Sequence, residues 1–181
     1  MENTGGLIVY SSKTGNTRKL AQGILKGLED RGVTARIAPV EEKPDGNGAD
    51  WVLLGFWVDR GNADGKARRY LKGLSGQQVG FFGTLGAYPD SDHARESAAR
   101  VRELAEKKNT FLGCFLCQGK IDPKLTALFS KLPKGHPHGM NEERRKRHEE
   151  AAKHPDDADI AAAAEACAEM IKNTVKKIKA G

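Results

Sequence analysis

The apolar run Leu7 to Ser11 leads through a short polar loop into a segment, about Asn16 to Arg31, in which Leu20, Ile24 and Leu28 recur at the helical period. This strand-loop-helix order repeats down the chain. It restricts the fold to an α/β domain with a parallel sheet, because parallel neighbours need a crossover and a helix supplies it. Gly32 ends the first helix, as a glycine just past a helix terminus often does. The second strand, Val33 to Ala38, alternates Val33, Ala35 and Ile37 with polar neighbours and reads as an edge strand. A loop rich in Pro, Gly, Asn and Asp (Pro44 to Asp50) precedes the third strand, Trp51 to Phe56. A helix over Ala63 to Lys72, a fourth strand over Val79 to Gly83, a helix over about Ser91 to Lys108 and a fifth strand over Thr110 to Cys117 follow. The last helix, roughly Asp156 to Lys179, is expected to bury Ile160, Ala164, Cys167, Ile171 and Ile178. Its Lys172, Lys176, Lys177 and Lys179 fall in the final turns, where they oppose the helix dipole.

The strongest local signal is Ser12-Lys13-Thr14-Gly15-Asn16-Thr17, set between the first strand and its helix. Gly15 lets the backbone turn tightly and approach a ligand. The hydroxyls of Ser12, Thr14 and Thr17 and the amide of Asn16 can donate to phosphate oxygens, and the helix that starts here offers unpaired N–H groups and a positive dipole end. The run lacks the Gly-Lys-Ser/Thr ending of a P-loop and the G-x-G-x-x-G of a dinucleotide site. A Ser/Thr-rich helix cap with no ligand is the alternative that these residues alone leave open.

Thr-Gly-Asn-Thr after a strand ending in Val-Tyr-Ser-Ser resembles the flavodoxin family, whose phosphate loop reads Ser/Thr-x-Thr-Gly-x-Thr. The resemblance implies a doubly wound, flavodoxin-like sheet of five parallel strands in the order 2-1-3-4-5, with the cofactor, FMN, at the carboxyl ends of the strands. It also implies that Ser12, Thr14, Asn16 and Thr17 bind the FMN phosphate, with backbone help from Lys13 and Gly15. The flavin ring then lies across the loops after strands three and four. In the first of these, Trp57-Val58-Asp59-Arg60-Gly61, Trp57 can stack on the ring and Gly61 permits the peptide flip that the resemblance implies. In the second, Thr84-Leu85-Gly86-Ala87-Tyr88, Tyr88 is the expected second stacking ring and Gly86 brings backbone amides near the flavin edge. Core or turn packing is the other reading of each aromatic taken singly. Gln118, after strand five, could reach the flavin or a substrate, or serve only as a turn residue.

Two features depart from the family pattern. Flavodoxins that carry electrons are usually acidic, whereas this chain has a net charge of +6 and places Arg60 in the ring loop. Arg60 is expected to favour a reduced, anionic flavin and so to raise its potential. The second departure is 118–155, an extended helical segment inserted between strand five and the last helix, too long for a plain connection in a compact domain. Within it, Asp122 to Leu132 and Asn141 to Lys153 read as helices. The second pairs Glu142 with Lys146 and Glu143 with Arg147 at four-residue spacing. It is either a solvated face or a docking surface or lid near the flavin.

Composition narrows the remaining classes. The 181 residues are expected to form a single flavodoxin-like domain over their whole length. No apolar run is long enough to cross a bilayer, and the opening Met-Glu-Asn-Thr-Gly-Gly has neither the basic start nor the apolar stretch of a signal peptide, so a cytoplasmic location without membrane attachment is expected. Three cysteines fit a reducing compartment. Cys114 and Cys117 make a C-x-x-C spacing, but inside an apolar strand, which favours core packing over a redox or metal pair. His136-Pro137-His138 lacks further ligands at metal spacing, so no metal is expected. Few aromatics interleave with the basic residues, which argues against nucleic acid.

Three functions follow. The first is an electron-transfer protein that passes electrons from FMN to a partner reductase. The Phe56-to-Gly61 loop and the Leu116-to-Lys120 run resemble flavodoxin-like proteins encoded beside bacterial bilirubin reductase. The second is an FMN-dependent NAD(P)H oxidoreductase acting on a quinone or another flavin, with Arg60, Lys120 and the basic helix meeting the nucleotide phosphates. The third is a flavodoxin fold that works without cofactor as a binding module.

Overall fold

The computed structural model describes residues 5–180, and side chains up to Lys177. The expectations for the opening four residues, Ile178 and Lys179 therefore fall outside the described residues and side chains. The strands are β1 (Gly6–Tyr10), β2 (Ala35–Pro39), β3 (Trp51–Asp59), β4 (Asn62–Ala63), β5 (Gln78–Leu85) and β6 (Thr110–Gln118). The helices are α1 (Asn16–Glu29), α2 (Gly65–Gly73), α3 (Asp92–Glu106), α4 (Pro123–Ser130), α5 (Glu142–Ala151) and α6 (Asp157–Ala180). Five strands run parallel in the order β2-β1-β3-β5-β6, and the two-residue β4 folds back antiparallel on β3. Leaving β4 aside, this is the expected 2-1-3-4-5 order, with β2 at an edge.

The central strands are apolar on both faces, and the faces divide the core. Leu7, Val9, Val52, Leu54, Phe56 and Phe81 pack toward α2 and α3, where Ala67, Leu71, Val101 and Ala105 meet them. Ile8, Leu53 and Phe82 pack toward α1 and α6, against Leu20, Ile24, Leu28, Cys167 and Ile171. Burying a side chain of this size contributes about 1.5–3 kcal/mol, so each helix is held by its apolar stripe rather than by propensity. Cys114 and Cys117, three residues apart on a strand, point to opposite faces. Cys114 packs with the first cluster and Cys117 with the second, and burial pushes both thiols up to about 12.

β3 differs from its expected span. It continues three residues past Phe56 to Asp59, and Asp59 pairs with Asn62 across a two-residue turn. That turn needs positive φ at both central positions, which Arg60 (50°) and Gly61 (77°) supply. Trp57, Val58 and Asp59 therefore extend the sheet instead of forming a loop.

Just beyond the turn stands Asp64, only 2% exposed. It caps α2, with Oδ1 accepting from the backbone N–H groups of Lys66 (3.0 Å) and Ala67 (3.3 Å). The same oxygen accepts from Ser11 Oγ at 2.8 Å, and Oδ2 accepts from Trp57 N at 3.4 Å. One carboxylate thus joins the end of β1, the end of β3 and the start of α2. Asp64→Ala removes a helix cap, worth about 0.5–2 kcal/mol, and leaves the buried Ser11 hydroxyl without its acceptor, worth about 1–3 kcal/mol. Urea unfolding of this variant should show a loss of about 2–4 kcal/mol, and Asp64→Asn, which keeps one acceptor oxygen, should lose less.

Candidate functional site

The carboxyl ends of β1, β3 and β5 open into a cleft of about 780 Å³. Its floor is the polar run 12–17. Gly15 sits at φ 96°, a conformation costly for any residue with a Cβ, and it turns the chain into α1. Ser12 Oγ accepts from the backbone N–H groups of Gly15 (3.2 Å) and Arg18 (3.3 Å), which curls the loop around itself. The N–H groups of Thr14, Asn16 and Thr17 have no protein partner among the described residues. They lie at a helix N-terminus, where an anion is favoured.

The side chains of this run divide by role. Thr14 is exposed at the floor, and its Oγ1 accepts from Asn16 Nδ2 at 3.3 Å. The Asn16 amide also donates to the Lys120 carbonyl at 2.9 Å, tying the loop to the chain that leaves β6. Gly119 makes this approach possible, since a Cβ there would stand 2.8 Å from Asn16 Nδ2. Thr17 is 1% exposed and bridges to Thr84 Oγ1 (3.1 Å) and the Phe56 carbonyl (3.4 Å), so its hydroxyl anchors α1 to the sheet.

The walls come from the other strand ends. Trp57 is half-buried beside Thr84 on the neighbouring strand, and Lys13 Nζ lies 5.3 Å from the centre of its ring, a cation–π contact. Val58, Asp59 and Arg60 continue this wall, and Leu85 at the end of β5 and Gly86 just beyond it also line the cleft. Gly61 does not line the cleft. It is buried in the turn, and its carbonyl accepts from Arg100 at 2.7 Å, so a flip of the Gly61–Asn62 peptide would break that bond.

Tyr88 and Gln118 stand apart from the other expected site residues. β5 runs to Leu85 rather than Gly83, so Thr84 to Ala87 line the cleft and the next turn carries Tyr88 past it. Tyr88 is 40% exposed and borders a separate depression with Gln118 and α5 residues. The aromatic groups that do line the cleft with Trp57 are Phe129, His93, His138 and His148.

Most of these come from the 118–155 segment, which forms the far wall. Its two ends meet where Lys120 N donates to the His154 carbonyl at 2.9 Å, and Lys19 Nζ holds the Pro155 carbonyl at 2.8 Å. α4 packs on α5 through Thr126 Oγ1 and His148 Nδ1 (2.9 Å) and through the edge of Phe129 on the His148 ring. Burial and the neighbouring Arg147 and Arg144 push the His148 imidazole pKa down and so favour its neutral form. Arg144 is spent on structure, donating to the carbonyls of Gly139 and Pro137. The expected Glu142–Lys146 pair forms at 2.9 Å. Arg147 instead turns to the cleft, and no Glu143–Arg147 ion pair occurs among the described residues. Sequence periodicity could not show this, because α5 is charged all round and has no apolar stripe to orient it.

The clustered His154, Asp156 and Asp159 are engaged in capping α6. Each of Asp156 and Asp159 accepts, through its carboxylate, from the backbone N–H of the other, at 2.8 and 2.9 Å, and His154 Nδ1 lies 2.5 Å from Asp159 Oδ2.

Comparison with known proteins agrees with this architecture. Residues 7–168 match the Flavodoxin domain family. The flavodoxin-like domain-containing protein BilS of Clostridioides difficile (strain CD3) is 32% identical over 156 residues, spanning 85% of this chain and 89% of that protein. Among solved structures, oxidised flavodoxin 1 from Bacillus cereus superposes with a TM-score of 0.59 at 12% identity, over 92% of this chain and 97% of that one. A flavoprotein in complex with FMN from Lactobacillus acidophilus NCFM superposes with a TM-score of 0.50 at 17% identity, over 71% of this chain and 99% of that one. The chain belongs to the flavodoxin domain family.

Proposed function

We propose that the protein binds FMN in this cleft and serves as an electron carrier, donating electrons to a partner reductase. The observation that carries the reading is the loop 12–17, where a glycine at positive φ leads into a helix N-terminus and Thr14, Asn16 and Thr17, whose backbone N–H groups have no protein partner among the described residues, all line one cleft. A phosphate monoester would satisfy them. The cleft beyond is apolar along Trp57, Val58 and Leu85, and large enough for a flat ring system. When bound, FMN would supply the one- and two-electron chemistry.

The chain's own residues then have definite tasks. Ser12 shapes the loop, Gly15 and the helix end hold the phosphate, and Thr14 donates its hydroxyl. Trp57, steadied by Lys13 and by the bond of its backbone N–H to Asp64, presents a ring for stacking. Arg60 is exposed at the lip of the cleft, without an ion-pair partner among the described residues, and supplies a positive charge near the ring. The relationship to BilS and the loop resemblance noted above favour the carrier, with bilirubin reductase as the candidate partner.

Three measurements test this. Ser12→Ala combined with Thr14→Ala should weaken FMN binding by about tenfold or more while leaving riboflavin, which has no phosphate, almost unaffected. Equal affinity of variant and parent for FMN would overturn the phosphate site. Arg60→Ala should lower the potential of the bound flavin by on the order of 20–40 mV, the effect of one screened charge at contact range. NADPH or NADH alone should leave the FMN-loaded protein oxidised, with bleaching only after a reductase is added. Rapid bleaching by the nucleotide would make the protein an oxidoreductase in its own right.

A further inference from the structure

The helix α4 has an unusual composition for its position. Its sequence, Pro-Lys-Leu-Thr-Ala-Leu-Phe-Ser, is half apolar, yet none of its residues is buried. Leu128 is 54% exposed and Leu125 39%, and Tyr88 is the only other large apolar side chain as open among the described residues. Lys124, Leu128 and Lys131 follow one another at helical spacing, so an exposed leucine lies between two exposed lysines on one stripe.

Charge along this stretch is of one sign. From Pro123 to Lys134 the chain carries Lys124, Lys131 and Lys134 and no acidic residue. The carboxylate just before it, Asp122, accepts from Lys124 N at 2.9 Å and caps the helix. No ion pair holds any of these lysines among the described residues. The other side of the helix is anchored by the Thr126 and Phe129 contacts to His148, which sets which stripe faces outward. Leu125 and Phe129 reach the cleft itself, so the outer stripe is continuous with the cleft mouth.

We propose that this face of α4, Lys124, Leu125, Leu128 and Lys131 with Lys120 beside the cleft, is the docking surface for an acidic redox protein. The proposal rests on the electron-carrier reading above and names the chemistry of the partner. Carboxylates around a small apolar centre complement lysines around an exposed leucine, and charge of this kind steers encounter near the place where electrons leave. The patch is small, which suits the limited interfaces of transient electron-transfer pairs. A second copy of this chain is disfavoured, since each carries a net charge of +6 and would bring like charges together. A lipid surface is disfavoured because an eight-residue helix buries too little apolar area to hold the interface.

The test is an NMR titration of the isotope-labelled protein, with and without FMN, against two forms of cytochrome c. The native form is basic, and partial succinylation, kept to a degree at which the native absorbance spectrum is retained, turns enough of its lysines into carboxylates to make it acidic. The succinylated form should shift backbone signals of residues 120–134, and raising salt to about 0.3 M should weaken the effect by tenfold or more. Native cytochrome c should produce no such shifts. Lys124→Glu with Lys131→Glu should abolish the binding, and Leu128→Ser should weaken it several-fold, with unchanged spectra elsewhere showing that both variants fold. Because the binding is read without flavin as well as with it, failure of the FMN site and failure of the docking surface give different results. The proposal is overturned by equal binding of the two cytochromes, by shifts centred on another surface, or by undiminished binding of the charge-reversed variant. It is also overturned if phosphatidylglycerol-containing vesicles, and not the succinylated protein, perturb α4.

Discussion

The buried carboxylate of Asp64 is the contact on which the arrangement of the site depends. It takes hydrogen bonds from Ser11, Trp57, Lys66 and Ala67, and so ties the ends of two strands to the start of a helix. Ser11 leads directly into the loop 12–17, and Trp57 is an aromatic wall of the cleft. Because a charged group this deeply placed is tolerated only when its lone pairs are met, these donors are held in one geometry. The positions of loop and wall relative to each other follow from it.

A second set of contacts fixes the opposite side. Thr17 reaches Thr84 and the Phe56 carbonyl, and Asn16 reaches the Lys120 carbonyl. The amino end of α1 is thereby pinned to β3, β5 and the chain after β6. The Thr17 hydroxyl and the Asn16 amide are thus engaged, while the Thr14 hydroxyl and the backbone N–H groups of Thr14, Asn16 and Thr17 donate to no protein group among the described residues. This division suits anion binding, since backbone groups are already held in place and lose little freedom when a ligand arrives.

The 118–155 segment changes the character of the site. Without it the cleft would open directly from the sheet to solvent. α4 and α5 add Phe129, His148 and Arg147 as a far wall, and the hydrogen bond from Lys120 to His154 closes the segment at its base. A cationic, partly apolar surface then stands at the mouth. The basic balance of the chain is thus concentrated where a ligand or partner would approach.

Much of the architecture was legible in the residues alone. The 3.6-residue spacing of Leu20, Ile24 and Leu28 and the continuous apolar runs of the central strands specify helices and strands, because those periods determine which side chains share a face. The loop 12–17 was legible too, since it combines a glycine at a turn with the start of a helix. Three things were decided only in three dimensions. Asp64 became the link between elements, Tyr88 was carried past the cleft, and Arg147 turned toward it. Each depends on contacts between residues far apart in the chain, or on a strand ending two or three residues later than its apolar run suggests. Local pattern carries the period of an element; the direction in which a given side chain finally points is settled by what packs against it.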